Sequence, residues 1–179
     1  MSEAAVKSQS KRVELRWVGK LGFLAQNEGG RWLPVGTLPA GTEPGSVALK
    51  PAPRAGMTPM ELVLVALGGC TGMDVVSILE KMREPLEAFT VTVEAVQAAE
   101  HPRVYTHISL TYRVQGPVDP ANARRSAELS IARYCSVGAM LTRAVPVTYT
   151  LELNGGQKID LGTKGGVDGG AGDPACRPV

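Results

Sequence analysis

The stretch Thr58–Arg83, TPMELVLVALGGCTGMDVVSILEKMR, decides how the rest of the chain is read. It opens with three helix-start signals in register. Thr58 is a favourable N-cap, Pro59 suits the first helical position, and Glu61 falls at N3, where its carboxylate can reach back to complete a capping box. The helix must stop by Pro85. At 1.5 Å per residue it is roughly 37 Å long. Its first half is apolar all round, so nearly every side has to be covered. One small sheet does not supply that cover, and a partner subunit is expected to provide the remainder. The apolar run Leu62–Met73 is too short for a bilayer, which needs about 20 residues. It reads as a buried helix. Inside it, Gly68-Gly69-Cys70-Thr71-Gly72 concentrates glycine where each costs about 1 kcal/mol relative to Ala. Close approach of another helix or of a substrate is the expected reason, with Cys70 in the middle of the notch.

Working outward, a second helix is expected from the Asp119-Pro120 cap to near Arg143, ahead of Pro146. Its stripe Ala127, Ile131, Tyr134, Gly138 and Leu141 places Cys135 inward. Strands are read at residues 11–18, with Val13, Leu15 and Trp17 on one side, and at 21–35, a hairpin turning at Asn27-Glu28-Gly29-Gly30. Further strands follow at 89–97 and at 103–114, where Val104, Thr106, Ile108, Leu110, Tyr112 and Val114 share a face. A last strand points Val147, Tyr149, Leu151 and Leu153 inward. Strict alternation implies strands buried on one face only, which argues for antiparallel sheets in an α+β fold. Residues 1–10 read as a flexible N-terminus and 11–153 as the folded domain. Residues 154–179 hold 8 of the 21 glycines and read as a disordered tail. Cys176 in that tail reads as a stray thiol. A Pro/Gly-rich connection runs from Pro39 to Gly56.

Composition excludes several function classes. The 179 residues are the size of one domain, 44% hydrophobic and 20% charged. A net charge of +2 is too small for a nucleic-acid or membrane-surface footprint, and 4% aromatic residues do not make a base-stacking platform. Two His and three Cys without a CxxC do not build a zinc module, so no metal is expected. An odd cysteine count fits poorly with a secreted disulfide scaffold, and Met1–Lys7 lacks the apolar core of a signal peptide. A cytoplasmic setting follows as the expectation. Two inward cysteines on the two long helices could come within disulfide range, about 4–7 Å between Cα atoms. They could then act as a redox pair. Asp74, four residues past Cys70, reads as a structural hydrogen-bonding group, because its charge would oppose thiolate formation. His101 and His107 are unaccompanied, and Arg124-Arg125 reads as a solvated face.

The helix TPMELVLVALGGCTGMDVVSILEKMR together with ARYCSVGAMLTRAVPVTYTLEL resembles the OsmC/Ohr family of thiol-dependent peroxidases, and most of all its OsmC-like branch. That resemblance implies an intertwined homodimer in which sheets wrap central cysteine-bearing helices and the active sites lie at the subunit interface. It implies Cys70 as the peroxidatic and Cys135 as the resolving cysteine, reducing organic hydroperoxides to alcohols. An external dithiol restores the pair, and no cofactor is involved. Peroxidases of the family carry a Glu ten residues before the reactive Cys, paired with an Arg. Here that position is Met60, and Glu61 is the adjacent carboxylate. Arg16, Lys20 and Arg31 are the candidates for the cation. The other reading is a non-enzymatic protein of the same fold that binds an apolar small molecule at the dimer interface.

Overall fold

The computed structural model describes residues 10–36 and 57–166. The strands are β1 (Ser10–Trp17), β2 (Gly22–Asn27), β3 (Trp32–Gly36), β4 (Ala88–Gln97), β5 (Tyr105–Gln115), β6 (Val147–Leu153) and β7 (Gln157–Lys164). The α-helices are α1 (Pro59–Lys81), α2 (Pro120–Leu129) and α3 (Ser136–Leu141). All strands join one seven-stranded sheet in the order β3-β2-β1-β4-β5-β6-β7. Alternation sets the two faces. Val13, Leu15, Val91, Val93, Leu110, Tyr112, Tyr149 and Leu151 turn toward the helices and are buried. Arg12, Glu14 and Arg16 turn away and form ion pairs with one another and with Glu94.

The α+β class stands, with one mixed sheet in place of antiparallel sheets. β5 and β6 run parallel, Ile108 opposite Val147 through Val114 opposite Leu153. The chain leaves β5, crosses one face through α2 and α3, and re-enters at the same end, which makes the next strand parallel. Helices cover only one face, so β6 keeps the alternation that suggested an antiparallel pair.

The α1 start is as expected, with Pro59 leading and both capping-box hydrogen bonds formed between Thr58 and Glu61. By length and composition α1 alone would pass for a bilayer-spanning helix, yet 56% of that apolar window is buried inside the protein. The glycines explain how closely it packs. A Cβ on Gly68 would lie 2.6 Å from Leu15 Cδ1 and 3.1 Å from Val93 Cγ2, and one on Gly69 2.7 Å from Val35 Cγ1. One on Gly72 would meet Phe23 at 3.1 Å. The notch therefore faces the sheet, rather than another helix or a substrate.

Three further expectations change. The second helix is interrupted: α2 ends at Leu129, a π-helical segment spans Ser130–Tyr134, and α3 begins after Cys135. Tyr134 is consequently 49% exposed and not on the inward stripe. On β5 the register shifts opposite Val96 and Gln97, which buries Tyr105 and turns Val104 and Thr106 outward. The segment read as a disordered tail begins instead with a hairpin, Gly155-Gly156 leading into β7, where Ile159 and Leu161 pack against the core. Residues 1–9, the 39–56 connection and Cys176 lie outside the described residues.

Candidate functional site

Both cysteines are reduced and free, Cys70 half-buried and Cys135 buried. Cys70 sits in the unbroken middle of α1, where the helix hydrogen bonds fix its position. Cys135 sits at the break in the other helix. Its N–H reaches back to the Ser130 carbonyl at 2.9 Å, closing the wide π turn, and its own backbone is extended. The Cys135 Sγ then caps α3, accepting the Gly138 N–H at 3.2 Å. Asp74, one turn past Cys70 on the same face of α1, completes the group. The Cys70 Sγ, Cys135 Sγ and an Asp74 carboxylate oxygen all lie within 4.8 Å of one another.

A buried hydroxyl chain holds this group in place. The Ser130 Oγ donates to Asp74 Oδ2 at 2.9 Å and lies 2.8 Å from Thr71 Oγ1, which in turn meets the Tyr112 hydroxyl. Ser130 and Thr71 are buried, so these partners satisfy groups that water does not reach. The site is electrostatically costly when charged. Burial pushes the Cys135 thiol up to about 12, and hydrogen bonding to Cys70 together with the Cys70 and Asp74 charges pushes the same way, against the Gly138 N–H. Burial also raises the Asp74 carboxyl, partly offset by the Ser130 hydrogen bond. The Tyr149 hydroxyl is held up to about 12 by burial and by Cys135.

Asp74 also lines a cleft of about 350 Å³, between Ser77, Ile78 and Lys81 of α1, Met82 just past its end, and Leu129 and Tyr134 opposite. The thiol pair thus has a polar group shared with a half-apolar pocket.

Glu61 sits at the start of α1. Its Oε2 accepts the Thr58 N–H at 2.7 Å and the Thr58 hydroxyl at 2.9 Å, and its Oε1 accepts the Asn27 amide at 2.8 Å. These bonds pin the start of α1 to the β2–β3 turn. Burial would raise the carboxyl, but the Thr58 and Asn27 donors outweigh it and hold it below the usual range. Glu61 is not in the thiol group, from which nine helical residues separate it by about 13 Å along the axis. Met60 packs against the core, and its carbonyl accepts the Tyr105 hydroxyl at 2.6 Å. Of the cation candidates, Arg16 pairs with Glu14 on the outer face of the sheet. Lys20 lies in the β1–β2 turn, where its carbonyl accepts the Trp17 indole N–H. Arg31 follows the β2–β3 turn, with its N–H on Asn27 Oδ1.

A half-buried dithiol with an adjoining carboxylate, set between a long helix and a broken one on a mixed sheet, defines a thiol-centred α+β domain. Residues 52–150 match the family model described as OsmC-like protein, and the chain belongs to that family. It is 42% identical to Protein YhfA of Escherichia coli K12 over 97 residues, which is 54% of this chain and 72% of that protein. A hypothetical protein from Aquifex aeolicus shares 27% identity at a TM-score of 0.51, covering 80% of this chain and 97% of that one. An OsmC-like hydroperoxide resistance protein from Jannaschia shares the fold at 16% identity and a TM-score of 0.51, covering 84% and 97%.

Proposed function

We propose that this chain is a thiol-dependent peroxidase that reduces organic hydroperoxides to alcohols, with Cys70 attacking and Cys135 resolving. The observation that carries the reading is the approach of the two sulfurs to within 4.8 Å, from two different helices. Cys70 is the more accessible of the two and lies beside Asp74, which lines the cleft, so it takes the attacking role. The Cys70 thiolate displaces the alkoxide from the terminal oxygen of the hydroperoxide, leaving a sulfenic acid, and the alkoxide takes a proton to leave as alcohol. The Cys135 thiol then condenses with the sulfenic acid, releasing water and forming a disulfide. An external dithiol exchanges with that disulfide and restores both thiols. This cycle suits a reducing cytoplasm and calls for no organic cofactor.

A homodimer belongs to the same proposal. Leu62 is 41% exposed on the outer side of α1, and Ala66 is exposed one turn later. This apolar flank supports cover by a second copy.

The decisive measurement is consumption of cumene hydroperoxide with dihydrolipoamide or dithiothreitol, comparing the parent with Cys70→Ser and Cys135→Ser. Turnover lost in Cys70→Ser, with slowed recycling or over-oxidation in Cys135→Ser, is the expected result. Parent turnover no faster than Cys70→Ser overturns it. One observation favours a second reading, binding of an apolar small molecule: Met60 stands where a peroxidase of this family has Glu. On that reading, ligand-dependent thermal shifts persist unchanged in Cys70→Ser.

A further inference from the structure

We propose that the reduced Cys70, Asp74 and Cys135 form a binding site for a thiophilic divalent cation of the zinc type, with two sulfurs and one carboxylate oxygen as ligands. Asp74, the one ligand of the three that lines the neighbouring cleft, connects the site to it. The absence of a zinc module in the sequence does not bear on this, because such modules are closed by four protein ligands. An open site needs only three.

Three features of the structure carry the inference. The three ligand atoms already lie within 4.8 Å of one another, and closing about 1 Å by side-chain rotation brings them to the roughly 3.3–3.8 Å that bonds of about 2.0–2.3 Å impose around one tetrahedral ion. Two of the ligands are fixed in advance, since Cys70 and Asp74 lie one turn apart on the same face of an unbroken helix. The third comes from a helix break, which lets its Sγ approach from the opposite side. The ligands also have outer partners of the sort that orient metal ligands: the Ser130 hydroxyl on Asp74 Oδ2, and the Gly138 N–H on the Cys135 Sγ.

Binding exchanges two thiol protons for the ion and changes no oxidation state. A disulfide between Cys70 and Cys135 removes both sulfur ligands at once, so the site exists only in the reduced protein. An occupied site in turn blocks attack by Cys70. The inference stands whether or not the pair turns over peroxide.

Cobalt(II) is the probe that reads ligand identity. Reduced protein in a Cys176→Ser background, titrated anaerobically with cobalt, should take up one equivalent per chain. The near-ultraviolet band of thiolate-to-cobalt charge transfer should appear with the visible bands of a tetrahedral ion, and zinc should bleach both. Asp74→Asn keeps the side-chain shape and should weaken binding at least about tenfold, with a larger loss in Cys70→Ser or Cys135→Ser. The protein oxidised to its disulfide tests the same point without a mutation and should show no thiolate band. Cobalt bound as tightly by Asp74→Asn as by the parent overturns the proposal. So does equal binding by the disulfide form, or the absence of a thiolate band in the reduced parent at a tenfold excess of cobalt.

Discussion

The two helices that carry the cysteines are built in opposite ways. α1 runs 23 residues without interruption, with Thr58 and Glu61 capping its start and Gly68, Gly69 and Gly72 pressed against the sheet. The helix opposite changes from α to π at Ser130 and is cut at Cys135, restarting as the six-residue α3. Cys70 therefore has a position set by packing on all of α1, whereas Cys135 sits at the end of a wide turn with extended backbone. Ser130 couples them, because its side chain bonds Thr71 and Asp74 of α1 while its carbonyl holds the Cys135 N–H. A redox pair benefits from this division. One sulfur is set on a continuous helix, and the other leaves the helical path on an extended residue that brings it toward the first.

Substitutions on each side test the contrast, beginning with the largest effect. On the proposed mechanism, Cys70→Ser takes peroxide consumption down to the uncatalysed background. Cys135→Ser retains the first turnover and loses the recycling, seen by mass spectrometry as sulfinic acid on Cys70. Next is the rigidity of α1 itself. Gly68→Val forces side-chain carbons into Leu15 and Val93, both fully buried, and should lower stability by about 1–3 kcal/mol in denaturant unfolding.

The cap of α1 comes third. Glu61→Gln should cost about 1 kcal/mol at neutral pH. Its sign with pH follows from linkage: the folded carboxyl titrates below its ordinary value, so the folded chain binds fewer protons than the unfolded one between the two values. The Glu61 contribution is complete above the unfolded value of about 4.5 and disappears as pH falls through the folded one. Glu61→Gln should therefore narrow its deficit in acid, measured as the urea midpoint from pH 7 to pH 3. The smallest effect is on the loose side. A Cβ at Gly138 would sit 3.2 Å from the Cys135 Sγ and 3.6 Å from the Tyr149 hydroxyl, tight enough to shift the sulfur by tenths of an ångström. Gly138→Ala should slow formation of the disulfide by well under the roughly 100-fold that a 1 Å misplacement can cost, and leave alkylation of Cys70 unchanged.

What the sequence disclosed follows the same division. α1 announces itself because its caps, composition and stop are local, and all three act as read. The break before Cys135 has no such mark. No Gly or Pro occurs between Ser130 and Cys135, and what satisfies Ser130 is a pair of side chains more than fifty positions away. Tyr134 was placed inward by a periodicity that the π turn interrupts. The direction of β6 was also hidden, since alternation reports how many faces are buried and is silent about which way a neighbour runs. β7 was in view but masked by composition: Ile159, Leu161 and Thr163 alternate inside a glycine-rich stretch.

The site was half legible. Cys70 and Cys135 do come together. The third member, Asp74, is visible in the sequence as a helical neighbour of Cys70 but reads there only as a structural hydrogen-bonding group, while Glu61 enters through the family's Glu ten residues before the reactive Cys. The structure places Asp74 beside both sulfurs, where its charge adds to the burial that raises the Cys135 thiol. Glu61, the carboxylate next to the family's Glu position, is engaged by Thr58 and Asn27.

The hairpin after β6 has a consequence for how the chain keeps itself apart from its neighbours. The family match ends at residue 150, and β7 lies beyond it, covering the edge of β6 from Val147 to Leu153. β6 alternates fully buried valine, tyrosine and leucine with threonine and glutamate, which is the pattern of an interior strand. β7 is the strand suited to a border, with Lys158, Asp160 and Lys164 along it and Lys158 bridged to Glu152. A chain cut after Leu153 would bare a long row of unpaired backbone donors and acceptors on its greasiest free margin, an invitation to stack copies into aggregates. The glycines at 155 and 156 thus serve solubility, by folding a charged selvedge over a strand that could not safely face the solvent.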